Sequence, residues 1–358
     1  MAFGCLVVLA SHALDLPHAL EQIGIRTLGV SAPKLRALLD NQTIHDVTML
    51  DGVLTLKLMQ PPGDDSVARL QNEMKGDRYH IQRLPMAGAV VDVGANLGDM
   101  AIAVAKIRPQ MQVIAIEPTP LTYFYFRLNM HLNGVRLLQR GAAPAGSEPG
   151  GVLPLNAGAG DGSGPAKSTV WYSPRSSQEA VFGDIPEAQQ KNMLRAMVPS
   201  LDLLGLLERR GIERLRLLKI DCEGCEFRLI PKMGTAGWLL RPPAPPGLLS
   251  RLFAPAPLAK VERLEGELHF HMCKALGLEL VRPALPQDGL LGSPACSLGR
   301  PCDVDSCRCT DIPGYHGVAT PPAYVPFGMQ TFQFLGARGC PPRAFTVDAP
   351  YTWFDLSC

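Results

Sequence analysis

The feature that most constrains the fold of this chain is a short apolar run that ends in a turn bounded by two glycines. The run spans 89–93, and it is followed by the turn at 94–98 and by a helical pattern at 99–107. A continuous apolar strand is typical of a parallel sheet that is covered on both faces. Further segments of the same alternation follow at 112–116, 121–133 and 135–138. The order β-α-β-α-β predicts an α/β fold with a doubly wound sheet.

Segments on either side of this unit complete the predicted layout. Before it, 32–42 has a helical pattern and 52–59 has a strand pattern. After it, helical patterns occupy 185–197 and 201–210. Strand patterns occupy 215–220, 261–268 and 329–335. We therefore divide the chain into an N-terminal lead-in (1–78), a core (79–282 and 329–336), an insertion rich in Pro, Gly and Cys (283–328) and a C-terminal tail (337–358).

The two ends of the chain leave alternatives open. The apolar stretch 2–10 is followed by a small-residue site, which suits either a short signal peptide or a buried first element. Localisation is accordingly cytoplasmic or, with a signal peptide, secretory. Most of the cysteines lie between 296 and 358, where disulfides, a zinc site and free thiols all remain candidates.

Charge excludes some partners. The formal net charge is +1 and only 19% of the residues are charged, so there is no electrostatic case for nucleic acid as a partner. No apolar run reaches the roughly 20 residues that a membrane-spanning helix needs, so we expect no transmembrane segment.

The turn at 94–98 carries the first chemical signal. It reads G-x-N-x-G and is preceded by Asp92, whereas a dinucleotide fingerprint reads G-x-G-x-x-G. Gly94 and Gly98 allow a sharp turn and a close backbone approach to a ligand. A carboxylate at Asp92 would repel a pyrophosphate but would suit a cationic or amine-bearing ligand. The alternative is an ordinary glycine-rich turn between a strand and a helix.

Two more strand ends carry polar residues. Glu117, followed by Pro118, ends the second strand, where a carboxylate can accept both hydroxyls of a ribose. Lys219, Asp221 and Glu223 lie at or just past the end of the strand at 215–220. Strand alternation places Lys219 and Asp221 on one face. The alternative for this cluster is a surface ion-pair group at the start of a helix.

Three segments together resemble a known family. VVDVGANLGDM, AIEPTP and LLKIDCEGCEF resemble the motifs of FkbM-type methyltransferases in order and approximate spacing, and VERLEGELH is similar to a fifth-strand segment of related proteins. The resemblance covers about 79–282, with the last strand at 329–335. It implies a Rossmann-like sheet of about seven strands, mostly parallel with an antiparallel last strand. It also implies transfer of a methyl group from S-adenosylmethionine, usually to a hydroxyl oxygen.

This resemblance and the residues at the strand ends define the candidate site. The predicted cofactor-binding residues are Asp92, Gly94, Ala95, Asn96, Gly98, Glu117 and Pro118. The predicted catalytic residues on the acceptor side are Lys219, Asp221, Glu223 and His269. Asp221 or His269 would be the base, and a divalent metal held by Asp221 and Glu267 is an alternative way to activate the acceptor. The acceptor itself is a small molecule or a glycan.

The chain departs from the family at Cys222 and Cys225, which form a CxxC where small or aliphatic residues are more usual. Redox catalysis by this pair is disfavoured, because the residues between the cysteines belong to the acidic motif. Two other functions compete with methyl transfer. One is a non-catalytic or regulatory protein that kept the fold, and the other is a nicotinamide-dependent oxidoreductase.

Overall fold

A computed structural model describes most of the chain between residues 16 and 269 and two strands near its end. The described ranges are 16–139, 149–160, 162–177, 180–182, 190–222, 225–226, 260–269, 342–348 and 351–357, with isolated positions between 229 and 238. The helices are α1 (His18–Leu28), α2 (Ala32–Asp40), α3 (Ser66–Met74), α4 (Asp99–Ile107), α5 (Pro120–Leu132) and α6 (Leu203–Arg209), with a 3-10 turn at Ile81–Arg83. No helix within these ranges is both long and apolar enough to cross a bilayer.

The strands fall into one large sheet and two smaller ones. They are β1 (His45–Met49), β2 (Leu54–Leu58), β3 (Ala87–Val93), β4 (Gln110–Ile116), β5 (Gly151–Leu155), β6 (Gly158–Gly160), β7 (Lys167–Tyr172), β8 (Ala180–Phe182), β9 (Leu194–Asp202), β10 (Leu217–Ile220), β11 (Arg263–His269), β12 (Pro342–Asp348) and β13 (Tyr351–Ser357). β1 pairs with β2, and β6, β9, β7 and β8 form a four-stranded sheet in that order.

The large sheet confirms the predicted fold class. Its seven strands run in the order β12-β13-β11-β10-β3-β4-β5. β5, β4, β3, β10 and β11 pair in parallel, whereas β13 is antiparallel to both β11 and β12. Strand order reverses between β3 and β10, and ligands of open α/β sheets bind at such a switch point, beyond the carboxyl ends of the strands.

Alternating residues of β3 explain why this strand is apolar except at Asp92. Val90 belongs to a core cluster on one face of the sheet, whereas Val91 and Val93 belong to a second cluster on the other face. Because both faces are covered, neither face of the strand carries the polar residues of a half-exposed strand.

The third strand is not at the predicted position. At 135–138 the structure has an isolated bridge from Leu137 to Val152, and the parallel strand is β5, Gly151–Leu155. Leu137 is largely exposed, whereas every residue of β5 is buried. Pro154 made this segment look unlike a strand, but β5 is an edge strand, where a residue without an N–H is tolerated.

Two further predictions need correction. The helical pattern at 185–197 ends in a strand, because Leu194–Asp202 forms β9 and pairs antiparallel with β7. The predicted tail at 337–358 contains β12 and β13, so the antiparallel last strand is Tyr351–Ser357. The predicted strand at 329–335 and the insertion at 283–328 lie outside the described residues.

The lead-in shares the core of the sheet rather than forming a separate unit. Leu35, Leu56 and Phe126 belong to one buried cluster with residues of β3 and β4. Asn129 of α5 is completely buried and joins the two regions. Its Nδ2 donates to the carbonyls of Met59 and Leu97, both at 3.0 Å, and its Oδ1 accepts from the Met59 N–H at 2.7 Å.

Candidate active site

The turn between β3 and α4 is shaped by packing within the protein. Gly94 and Gly98 have φ values of 80° and 85°, which side chains other than glycine rarely adopt. A Cβ atom on Gly94 would lie 1.6 Å from the carbonyl oxygen of Asp221, and one on Gly98 would lie 2.0 Å from the Phe126 ring. The two glycines are therefore required by the sheet and by α5, in addition to any approach of a ligand.

Three buried oxygens on this turn accept no hydrogen bond from the described residues. They are both carboxylate oxygens of Asp92 and Oδ1 of Asn96. The turn itself is held over β4, because the N–H of Ala95 donates to the Ile116 carbonyl at 2.9 Å. The ion pair between Asp92 Oδ1 and the Nζ of Lys219, 3.4 Å apart, offsets part of the cost of this burial. The three oxygens still have acceptor capacity for a ligand that brings N–H or O–H donors. Burial also raises the pKa of Asp92 above its ordinary value.

Glu117 lies directly after β4 and faces the same turn. Its Oε2 accepts from the Asn96 N–H at 2.9 Å, and its Oε1 accepts from the Thr119 N–H at 2.8 Å. Burial raises the pKa of Glu117 to about 7, although the two backbone N–H groups oppose this shift. A carboxylate offers about four lone-pair sites, so two hydroxyl donors can still be accepted.

Asn156 is a site residue that the sequence analysis missed. It follows β5, and its Nδ2 donates to the carbonyls of Glu117 and Pro118 at 2.9 and 2.8 Å. These bonds fix the backbone that carries the Glu117 side chain. Asn156 was missed because the third strand was predicted at 135–138. The signal that could have found it is the apolar run 152–155 followed directly by an amide side chain.

Lys219 of β10 is the cation at the centre of the site. Its Nζ donates to the Gly94 carbonyl at 2.7 Å and lies 3.4 Å from the carboxylates of both Asp92 and Asp221. Burial lowers the pKa of Lys219, but the two carboxylates outweigh it, so the net shift is upward. A permanently protonated amine cannot act as a base. Lys219 instead joins the turn after β3 to the turn after β10.

The turn after β10 is more open and is cross-linked. Asp221 is about a quarter exposed, with 25% of its side-chain area accessible. A disulfide joins Cys222 to Cys225. The Cys222 Sγ lies 3.2 Å from Oε2 of Glu226, which is completely buried. The predicted catalytic residue Glu223 lies outside the described residues.

Glu73 of the lead-in and two residues of the core, Tyr79 and Asp99, add acidic and phenolic groups that the sequence analysis did not single out. Tyr79 is buried, and its hydroxyl donates to Glu73 of α3. Burial, with a smaller contribution from the charge of Glu73, raises the pKa of Asp99, the first residue of α4, to about 8. Glu73 also raises the pKa of Asp92, after burial and the opposing effect of Lys219. The site is therefore rich in carboxylates gathered around one described lysine.

Comparison with known families assigns this part of the chain. The profile described as "Methyltransferase FkbM domain" matches residues 92–245. Residues 92–245 are thus similar to the FkbM methyltransferase domain. The matched FkbM segment begins at Asp92 itself and includes Glu117, Lys219 and Asp221. It ends before β11, so the last three strands of the sheet lie beyond the matched segment.

Two curated relatives each match just under half of the chain. "Methyltransferase sdnD" of Sordaria araneosa is 29% identical in an alignment of 179 residues, and the match covers 45% of this chain and 66% of that protein. "Methyltransferase 1" of Beauveria bassiana is 28% identical in an alignment of 169 residues, and the match covers 45% of this chain and 64% of that protein. The chain thus spans just under two thirds of the length of each relative.

A solved structure aligns with more of the chain, but its sequence identity is lower. It is the N-terminal domain of human METTL16 in complex with SAH, at 10% sequence identity and a TM-score of 0.31, covering 98% of this chain and 97% of that one. A likeness this low carries no argument about the FkbM domain or its ligand.

The remaining predicted site residues lie on β11, beyond the segment matched to the FkbM domain. Gly266 pairs with Ile220 of β10, so Glu267 follows at the same edge of the sheet as Asp221. His269 ends β11 and pairs with Tyr351 of β13. The side chains of Glu267 and His269 lie outside the described part of the structure, so their predicted roles as metal ligand and base remain predictions.

Proposed function

We propose that the chain is an S-adenosylmethionine-dependent methyltransferase that acts on a hydroxyl oxygen of a small molecule or a glycan. The observation that supports this most is the set of buried oxygens on Asp92 and Asn96 that accept no hydrogen bond from the described residues. They lie at the switch point of the sheet, inside the segment that matches the FkbM domain.

The residues present fit this cofactor. The amino group of S-adenosylmethionine would be a further donor, beside Lys219, for the oxygens of Asp92, and the ribose hydroxyls would be donors for Glu117. Gly94, Ala95, Asn96, Gly98 and Pro118 form the backbone of the two turns that carry these carboxylates. The surplus of carboxylates over lysine also suits a ligand with a sulfonium and an ammonium group.

The cofactor supplies a methyl group on a good leaving group, so the protein has to align the acceptor and remove its proton. Asp221 is the base that we assign, because it lies at the strand end beside Lys219 and is partly exposed toward an entering acceptor. Lys219 places a positive charge 3.4 Å from the Asp221 carboxylate. Glu223 and His269 would complete the acceptor side.

A metal-assisted variant of this mechanism also has a specific basis. Glu267 follows Gly266 at the edge of the sheet where Asp221 lies. A divalent cation held by Asp221 and Glu267 would lower the pKa of the acceptor hydroxyl and replace the general base. Loss of activity on chelation and its return with a divalent ion would select this variant.

A ligand panel separates the proposal from its two competitors. Calorimetry with S-adenosylhomocysteine and with NAD should show binding of the former alone. Binding of NAD alone would select an oxidoreductase, and binding of neither would select a non-catalytic protein that kept the fold. Incubation with methyl-labelled S-adenosylmethionine and a cell extract should then yield a labelled small molecule or glycan.

A further inference from the structure

We propose that Cys222 and Cys225 form a reversible dithiol–disulfide site that controls the affinity of the neighbouring cofactor site. The oxidised pair holds the turn after β10 in the binding arrangement, and reduction weakens binding of S-adenosylhomocysteine. This inference rests on the proposed function, because its readout is affinity for a ligand of that site.

The disulfide closes the turn that packs against the cofactor-facing loop. A Cβ atom on Gly94 would lie 1.6 Å from the Asp221 carbonyl oxygen and 3.3 Å from the Cα of Cys222. The backbone of the cross-linked turn is therefore in direct contact with the glycine that follows β3. A displacement of this turn would therefore move the backbone of Asp221 and Cys222, against which Gly94 packs.

Lys219 provides a second link between the disulfide and the cofactor side. Its Nζ contacts the Gly94 carbonyl and the carboxylates of Asp92 and Asp221. Asp221 directly precedes Cys222, so the disulfide restrains one of the three groups that hold this lysine in place. Release of the turn leaves the lysine with two partners on the cofactor side.

The two sulfurs differ in a way that suits thiol–disulfide exchange. Cys225 is partly exposed, whereas Cys222 is only 9% exposed. An external dithiol attacks the Cys225 sulfur as a thiolate, the S–S bond breaks, and Cys222 leaves and takes up a proton. The second thiol of the reductant then releases Cys225. The protein gains two electrons and two protons, and the reductant becomes a disulfide.

Glu226 gives the reduced state a hydrogen bond of its own. The Cys222 Sγ lies 3.2 Å from Oε2 of this buried carboxyl group. A disulfide sulfur carries no hydrogen to donate, but the reduced thiol does. The same three side chains, with ligand atoms within 4.8 Å of one another, could hold a thiophilic metal once reduced, so all samples in the tests of this pair contain a chelator.

The first test establishes that the pair changes state in the folded protein. The whole chain is equilibrated with mixtures of reduced and oxidised dithiothreitol, alkylated and digested with trypsin. The peptide 220–228 contains both cysteines and no other, so its mass reports this pair alone. We expect it to pass from unalkylated to doubly alkylated as the mixture becomes reducing. A peptide that stays in one state throughout would overturn the proposal.

The second test measures the consequence. Calorimetry with S-adenosylhomocysteine should give an affinity about tenfold weaker for the reduced chain than for the oxidised chain, because ligand binding must then order the released turn. Equal affinities in two states that the peptide distinguishes would overturn the proposal. Absence of binding in both states would instead count against the proposed function.

Variants assign the response to this pair among the ten cysteines of the chain. Cys225→Ser should bind like the reduced wild-type chain under both conditions. Cys340→Ser, a cysteine outside the motif, should keep the redox response. A response that survives in Cys225→Ser, or that is lost in Cys340→Ser, would place the redox site elsewhere. The wild-type comparison decides the question even if a variant does not fold.

Discussion

Two turns meet at the carboxyl edge of the large sheet, and they are built differently. The turn after β3 is closed, because Asp92 is fully buried and glycines fit against the neighbouring backbone and ring. The turn after β10 is more open, because Asp221 is partly exposed, and a disulfide restrains this turn in addition to its contact with Gly94. A closed turn suits recognition of a constant ligand, and an open one suits an acceptor that must enter and leave. Lys219 joins the two.

The largest expected effect comes from removing the lysine that both turns share. Lys219→Met leaves two carboxylates without their cation, one of them fully buried, so the free energy of unfolding should fall by about 3–5 kcal/mol in urea titration. Lys57→Met is the matched control, because Lys57 also lies 3.4 Å from a carboxylate, that of Asp46, but on the surface. It should cost about 1 kcal/mol at most. Equal losses in the two variants would refute the central role of Lys219.

The next effect separates chemistry from binding at the open turn. Asp221→Asn keeps the shape of the side chain but removes its charge and basicity. Methyl transfer should fall by about 10²-fold, whereas the affinity for S-adenosylhomocysteine should change little. Assays with and without a chelator distinguish a base from a metal ligand. Near-normal turnover in this variant would shift the catalytic role to His269, whose substitution belongs in the same assay.

The corresponding change at the closed turn should have the opposite pattern. Asp92→Asn removes charge-assisted hydrogen bonds to the cofactor and should weaken S-adenosylhomocysteine binding by about ten- to a hundredfold. Asp46→Asn, at an exposed carboxylate, serves as the control and should bind normally. Thermal unfolding of both variants verifies that the fold is retained. Unchanged affinity in Asp92→Asn would remove this carboxylate from the binding site.

The smallest effect is a dependence on pH at the closed turn. Burial raises the pKa of Glu117 to about 7, so its neutral form stabilises the ligand-free fold at acidic pH, and this contribution is lost as the pH rises through about 7. Hydroxyl donors favour the ionised form. Affinity for S-adenosylhomocysteine should therefore rise by up to about tenfold between about pH 6 and pH 8.

Glu117→Gln cannot ionise and is the control for this titration. Its affinity should be lower than that of the wild-type chain at about pH 8 and should not change across the same interval. A slope that persists in Glu117→Gln would assign the titration to another group, of which Asp99 is the first to test because burial raises its pKa to about 8.

Local sequence patterns predicted the closed turn. Other features depend on contacts between residues far apart in sequence, and these could not be predicted. Asp92, the two glycines and Glu117 lie in short segments whose residue types determine strand, turn and helix together. The position of Asn156 depends on which strand completes the sheet. That strand is β5, and its Pro154 is a residue that strands usually lack. The helical pattern of 194–197 was overridden by pairing with β7, a tertiary effect that periodicity does not contain.

The open turn was predictable in composition but not in geometry. Strand alternation correctly placed Lys219 and Asp221 on one face. The hydrogen bond from Lys219 to the Gly94 carbonyl joins two residues that are 125 positions apart in sequence, so local patterns did not predict it. The disulfide was not predicted, because the residues between the two cysteines belong to the acidic motif and this disfavoured a redox role for the pair.

The three hydrogen bonds of Asn129 have a consequence for modularity. A chain cut between 78 and 79 would remove Met59 and leave a completely buried amide inside α5 without two of its partners. The same amide supports the Leu97 carbonyl, within the turn after β3. The loop therefore cannot be excised with its own strand and helix and transplanted into another scaffold as a self-sufficient unit. A graft would have to carry the end of β2 with it.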